Sequence, residues 1–472
     1  MSRRARQALT CGWLGVAAWA LGGVCLSGHA LAQAWGSEIT AQAASEPDSG
    51  DRTELATRRS YAHALAAQGN WTAAADEFVS LAAQSRAPVD RLAAMRALAH
   101  NGRTAEAIVH GEALRAQLGD LPEQEANAAK SELANLYTGE GYRLRRDKRA
   151  RDAAQAFEQA LTLDPRRVRL WAEAGYARLA AGERALAEEH FVRAVDALAA
   201  RQSAEAQPGL TDEGERELYE RLRRELRELR RQWTLALFQS WRARSGSPSA
   251  AFAGLQRDGL IAAQGGVELA MRLASFPGVE GDRATEVFVR TLWSQRTDSL
   301  AIDSRSIQGA AGFRWQPIAG SAVRLSAERL FALGDDARSD WLIRAAWGQS
   351  VGDEAPAGRT TWPVRQVYVD VGRFLRGDGS NAAYGEWRQG LALALGSDWV
   401  AVPHIVLAGR AVHPDPFKES WSEAGPGLAL RRSFGATAQE ADRGRVEVSM
   451  QYRFAVSGAG RQGWMVTGAL VW

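Results

Sequence analysis

The chain has 472 residues, 46% of them hydrophobic and 24% charged. That balance excludes collagen-like and wholly disordered classes, and the length leaves room for about two or three domains. The formal charge of +3 carries no nucleic-acid message: Arg3, Arg4 and Arg6 are the only charged residues among the first 32, and the remainder balances at 55 basic against 55 acidic.

The opening segment reads as a secretory leader. Its three arginines precede an apolar run over residues 8–26, and Ala30-Leu31-Ala32 has the small-x-small form that predicts cleavage after Ala32. An uncleaved membrane anchor is the alternative. Both cysteines, Cys11 and Cys25, fall in this segment, which suits an oxidising compartment for the mature chain. Val24 before Cys25 argues against a lipoprotein. Residues 33–52 read as a linker.

Residues 53–205 have helical composition, rich in Ala, Leu, Arg and Glu. Within them Gly141 and Gly175, Tyr142 and Tyr176, Ala153 and Ala187, Phe157 and Phe191, and Ala160 and Ala194 are each separated by 34 residues, the tetratricopeptide spacing. Small residues let the two helices of a repeat approach, the aromatic rings fill the space between them, and Asp164-Pro165 closes the second helix. Degenerate copies around Gly69, Trp71 and Phe78 and around Gly102 bring the expectation to three or four repeats. Such stacks bind peptides, proteins or polymer chains, or serve as plain scaffold. Residues 206–244 read as a long charged connecting helix, unbroken from Glu215 to Trp241, whose alternating charges predict a solvated, self-paired face.

Beyond residue 245 the period becomes two. Val446, Val448, Met450, Tyr452 and Phe454 alternate with Arg445, Glu447, Ser449, Gln451 and Arg453, so an extended strand has one apolar and one polar face. The same alternation places Arg290, Arg314, Arg324, Glu328, Arg344 and Asp370 on polar faces, with Glu286 beside them. Eleven strands can be drawn this way, and a barrel of about 12 requires one more, expected within residues 250–263. A soluble sandwich would turn the apolar faces into a core; an outer-membrane barrel would turn them to lipid and the arginines and carboxylates to its lumen. Trp293, Trp315, Trp347, Trp399, Trp421 and Trp464 stand at strand ends, where interfacial girdles belong. Trp464, Val466, Leu470 and Trp472 share one face of the final strand, an alternation ending on an aromatic that resembles the insertion signal of outer-membrane barrels. On this reading Val448→Arg is harmful and Ser449→Arg is tolerated.

No site for chemistry emerges. Gly458, Gly460 and Gly463 sit between two strands and predict a hairpin, not a dinucleotide cradle. His404 and His413 lack metal-ligand spacing, and a rim hydrolase built on His413 and Asp415 has no spacing to support it. No enzyme activity, cofactor or metal is expected.

The run from Arg338-Ser-Asp-Trp341 through Gln366-Val-Tyr-Val-Asp-Val-Gly372, Pro403-His404 and Asp415 to Glu423-Ala-Gly-Pro-Gly427 and Gln451-Tyr-Arg-Phe454 resembles the C-terminal domain of NfrA-type bacteriophage adsorption proteins. The resemblance implies an outer-membrane barrel behind a periplasmic tetratricopeptide region. It further implies an export or display route for an exopolysaccharide made by an inner-membrane glycosyltransferase partner, and a surface usable by a phage tail protein. The helical region here is much shorter than in that family. The expected architecture is therefore α plus β multidomain: a tetratricopeptide-like α-solenoid followed by a transmembrane antiparallel β-barrel in contact with outer-membrane lipid. Its barrel is a porin-like pore or, alternatively, a non-conducting anchor for the repeats.

Overall fold

The computed structural model describes residues 49–204, 213–242, 265–273, 285–294, 301–318, 321–356, 358–376, 381–396, 398–413, 420–458, 460 and 462–472. The expected leader, most of the expected linker, residues 250–263 and Asp415 lie outside them.

Nine α-helices come first among the described residues: α1 (Ser49–Ala67), α2 (Trp71–Ser85), α3 (Pro88–His100), α4 (Thr104–Arg115), α5 (Glu123–Arg146), α6 (Ala150–Leu163), α7 (Val168–Ala180), α8 (Arg184–Ala204) and α9 (Glu213–Arg230). The first two form a compact unit of their own, and the rest of the chain forms a second. Helix α1 starts inside the expected linker.

The 34-residue period has a direct packing cause. A Cβ on Gly141 would lie 2.5 Å from the ring of Phe157, and Gly175 stands in the same relation to Phe191. Each glycine lets a buried phenylalanine of the next helix reach the helix backbone, and a tyrosine closes the ring edge: Tyr142 meets Phe157 and Tyr176 meets Phe191, both edge-on, with centroids 5.1 and 5.0 Å apart. Ala153, Ala160, Ala187 and Ala194 are fully buried around these rings.

Twelve strands follow: β1 (Trp233–Arg242), β2 (Gly265–Leu273), β3 (Thr285–Trp293), β4 (Gln308–Trp315), β5 (Val323–Ala332), β6 (Trp341–Val351), β7 (Thr361–Phe374), β8 (Asn381–Ala394), β9 (Trp399–His413), β10 (Trp421–Phe434), β11 (Gly444–Gly458) and β12 (Gly463–Val471). Each pairs antiparallel with its sequence neighbours, and β1 closes on β12 from Ala236↔Val471 to Arg242↔Met465, making a barrel without a free edge. The twelfth strand is thus β1 rather than a segment within residues 250–263. This corrects the expected long helix, which ends at Arg230. Residues 233–242 lack the charge pairs of α9 and are rich in Trp, Thr, Leu and Phe, and barrel closure decides their state over local helix propensity.

Alternation sorts the side chains. Leu237, Val289, Phe313, Ile343, Leu407 and Val448 face outward and are exposed. Ser240, Glu328, Asp370, Glu386, Gln451 and Arg453 face inward and are almost wholly buried. The interior also holds apolar clusters, such as Ala310, Leu330 and Leu342, beside these polar groups, but an apolar outer face around buried ions is the inverse of a soluble sheet and fits an outer-membrane barrel. Among the described residues no helix is long and apolar enough to cross a membrane. The connection between β6 and β7, residues 352–360, turns at Gly352, whose φ of +79° belongs to glycine and whose carbonyl accepts from Trp362 Nε1 at 2.8 Å.

Candidate functional site

The inward faces build a belt of ion pairs around the barrel. Arg314 on β4 donates to Glu286 on β3 and to Glu268 on β2, each at 3.0 Å. Arg290 on β3 donates to Glu328 on β5, and Arg344 on β6 to Asp370 on β7, which also accepts from the hydroxyl of Tyr368 at 2.9 Å. A second group begins at Tyr384, whose hydroxyl donates to Glu386 at 2.5 Å, with Arg388 Nε on the same carboxylate at 2.6 Å. Arg431 Nε donates to Glu447 at 2.6 Å, and Arg453 reaches Gln451 at 2.8 Å and Glu386 at 3.2 Å. The rings of Tyr368 and Tyr384, 6.3 Å apart, join the two groups.

All nine lumen-facing candidates point inward. Arg290, Arg314, Glu328, Arg344, Asp370, Glu447 and Arg453 are buried in the belt, whereas Arg324 and Arg445 are half-buried. Arg445 lies 3.5 Å from Asp353 in the β6–β7 turn. Burial alone would raise the Asp353 carboxyl, but the charges of Arg445 and Arg431 hold it below its ordinary value. Sequence reading missed Tyr368, Tyr384, Glu386, Arg388 and Arg431 as partners, and Glu423, which lies 3.8 Å from Arg453, although each stands at an inward position of an alternating strand.

The belt fills the barrel middle rather than lining an open pore. Arg453, Glu386, Glu328 and Asp370 are each 2% exposed or less. Charges so far from water need counter-ions, and each of these four lies against an oppositely charged side chain.

Five of the six girdle tryptophans face outward. Trp421 is the exception: it is 4% exposed and packs inside against Tyr384, their centroids 6.3 Å apart. As the first residue of β10 it keeps the parity of Glu423 and Arg431, which sets its direction. On β12, Trp464 is exposed and Val466 and Leu470 half-buried, all facing out, while Met465, Thr467 and Ala469 are buried inside. Trp472 stacks on Phe434 at 5.4 Å and lies over Gly435 and Gly444.

Helix α9 covers one end of the barrel. Its leucines are buried against the repeats, Leu222 and Leu226 fully, among Val168, Ala172, Phe191 and Leu198. Its arginines take the other side. Arg223 donates to the carbonyls of Thr437 and Glu440 at 2.6 and 2.8 Å, Arg227 to the carbonyl of Asp442 and to Glu354, both at 3.0 Å, and Arg230 to Glu440 at 3.0 Å. These partners lie in the β10–β11 and β6–β7 turns, so this side of the helix is a docking face, while the expected solvated and self-paired face is found at Glu217 and Arg221, both exposed and paired at 3.1 Å. The opposite end carries the connections after β3, β5, β7, β9 and β11. There Leu333 and Gly334 donate to the carbonyl of Ile307, and Arg305 pairs with Asp336 at 2.9 Å, tying two connections together.

Among the described residues no group of three or more His, Cys, Asp or Glu could hold a metal. His404 is buried against Val402 and Gln451, and Gly458 and Gly463 bound a hairpin.

Residues 298–468, from just before β4 into β12, match the family model of the Bacteriophage N adsorption protein A C-term. The C-terminal domain is of that type, in line with its sequence resemblance. No curated protein matches the chain. Solved structures with similarity include the TPR-like repeats of a Podosopora anserina kinesin light chain, at 20% identity, 37% of this chain, 91% of that chain and a TM-score of 0.24. MamA from Desulfovibrio magneticus RS-1 gives 16%, 32%, 97% and 0.18, and a tetratricopeptide repeat protein from Parabacteroides merdae gives 11%, 38%, 64% and 0.24. The assignment of repeats here rests on the 34-residue period and the glycine–phenylalanine packing, not on these scores.

Proposed function

We propose that this is an outer-membrane protein whose barrel anchors a periplasmic helical-repeat domain and offers its far end to bacteriophage. In this reading the repeats hold a partner that takes part in exporting or displaying a surface polysaccharide, an inner-membrane glycosyltransferase being the expected kind. No catalytic role is assigned to the chain.

The single observation that carries the reading is the inverted barrel, apolar outside and with an ion-paired belt inside, with α9 docked on one end and, among the described residues, strand connections at the other. A helical domain preceding a barrel behind a leader sits on the periplasmic side, which leaves the connections after β3, β5 and β7 facing out of the cell. The filled interior favours the non-conducting anchor over the porin-like pore, since a polymer threading the barrel would have to displace buried ion pairs. Polysaccharide export then depends on what the repeats hold rather than on passage through this barrel.

Cell fractionation with surface proteolysis tests the placement, and a deletion strain tests the role. Expected are an outer-membrane fraction cut only in far-end connections, loss of phage adsorption and of a surface glycan in the deletion strain, and no steady conductance in planar bilayers. Unchanged adsorption and unchanged glycan in the deletion strain would remove the functional reading and leave the membrane placement standing.

A further inference from the structure

Beneath α9, above the ion-pair belt, lies a partly open cavity of about 430 Å³. Arg224 and Arg227 of α9 form its roof, Asp353 and Glu354 one wall, and Val400 and Ser433 part of its strand lining.

The attachment of α9 is lopsided. Its C-terminal turn runs through residues 231–232 straight into β1, and Arg272 of β2 pins this junction, donating its backbone N–H to the Gln232 carbonyl at 2.7 Å and its guanidinium to the Glu228 carbonyl at 2.9 Å. The rest of the helix meets the barrel through polar bonds to two turns. Tyr219 donates to the Ala438 carbonyl at 3.0 Å, Arg223 to Thr437 and Glu440, Arg227 to Asp442 and Glu354, and Arg230 to Glu440. Arg224 adds an ion pair to Glu354 at 3.2 Å.

The two faces of α9 differ in how easily they part. Peeling it from α7 and α8 would expose Leu222 and Leu226, for which water offers no substitute. Parting it from the turns exchanges the largely buried hydrogen bonds of Arg223, Arg227 and Glu440 for bonds to water, one polar partner for another. A movement of α9 therefore leaves its leucines in place and gives way at the arginines.

We propose that α9 is a hinged latch over the repeat-side mouth of the barrel. Residues 231–232 are the hinge, the residues 435–443 turn is the catch, and α7 and α8 travel with the helix, so that access to the cavity is governed from the repeats. This goes beyond the phage and polysaccharide reading and does not depend on it.

The only native cysteines, Cys11 and Cys25, lie in the leader, so a single introduced thiol reports access in the full mature chain in detergent. Ser433→Cys, inside the cavity, is labelled with a bulky maleimide, and Ala436→Cys, exposed on the catch turn, is the control. Labelling of Ser433→Cys is expected to be slow with α9 intact. It should quicken by about ten-fold or more when Arg223→Gln and Arg227→Gln remove catch bonds, with the control rate unchanged. Fast labelling with α9 intact, or equally slow labelling with the catch removed, would overturn the latch. Heat-modifiable migration on a gel verifies that each barrel is closed; if the arginine pair fails that check, Tyr219→Phe with Glu440→Gln is scored by the same two rates.

Discussion

Arg453 on β11 donates to Glu386 on β8 at 3.2 Å, although two strands separate β8 from β11 in the sheet. The bond is a chord across the barrel interior and not a rung between neighbours. Both residues are almost wholly buried, so removing Arg453 takes one of two cations from the Glu386 carboxylate and leaves Arg388 to balance it. Arg453→Met is expected to cost about 3–5 kcal/mol, and pairing it with Glu386→Gln should recover part of that loss. Urea unfolding in detergent, followed by tryptophan fluorescence, reads both; additive losses would show that the chord carries no coupling.

The two faces of β11 give a second prediction. Val448 faces outward and is exposed, so Val448→Arg should cost about 2–4 kcal/mol where the strand crosses the bilayer centre. Ser449 is 1% exposed inside the belt, which overturns the expectation that an arginine is tolerated there. Ser449→Arg should also lower the folded yield, by overpacking, while Ser449→Ala should be near neutral. Quantifying heat-modifiable barrel in outer-membrane fractions separates the three variants.

A methyl group at Gly141 would meet the Phe157 ring at 2.5 Å. Gly141→Ala should destabilise the helical domain by about 1–3 kcal/mol, and Phe157→Leu in the same chain should relieve part of the clash. Helical ellipticity at 222 nm during thermal melting provides the measurement, since the barrel contributes little there.

A pH effect is expected from Glu158. Burial opposes its charge, but hydrogen bonds from His190 and Arg178 prevail and hold the carboxyl at about 2 against an ordinary 4.5. Because the folded value is the lower one, its stabilisation is complete above the ordinary value and is lost as pH falls toward the folded one. With its partial exposure to solvent the contribution is about 2 kcal/mol. The gap in melting temperature between the native chain and Glu158→Gln should be wide at about pH 6 and close by about pH 2; a gap independent of pH would assign the loss to packing.

Much of this architecture was legible in the sequence, for reasons visible in particular residues. Arg445, Glu447, Ser449, Gln451 and Arg453 announced an inward face because a strand's side chains alternate whatever lies across the lumen. Gly141 and Phe157 announced a helix pair because a backbone approach that close admits only glycine. β1 was hidden: its ten residues follow a charged helix with only Arg231 and Gln232 between, and although the charge pairs stop at Trp233, no Gly or Pro marks the end of the helix. Trp421 was misplaced because strand-end position suggests a girdle while parity decides the face. The chord partners Glu386 and Arg453 were beyond sequence reading, since their meeting depends on the curvature of a closed sheet.

The closure of β1 on β12 joins Ala236 to Val471, residues at opposite ends of the barrel sequence. Of all the strand pairings it is the most distant along the chain, so it carries the largest loop-closure entropy and is the slowest to find. During synthesis the repeats and α9 emerge first and can fold while β1 waits with an unpaired edge. That waiting edge is where an assembly factor gains most by binding, because an uncovered strand edge is a template for aggregation. Slowing the emergence of β12 should lengthen the exposure of this one edge more than any other, and chaperone capture of such stalled chains should therefore centre on β1.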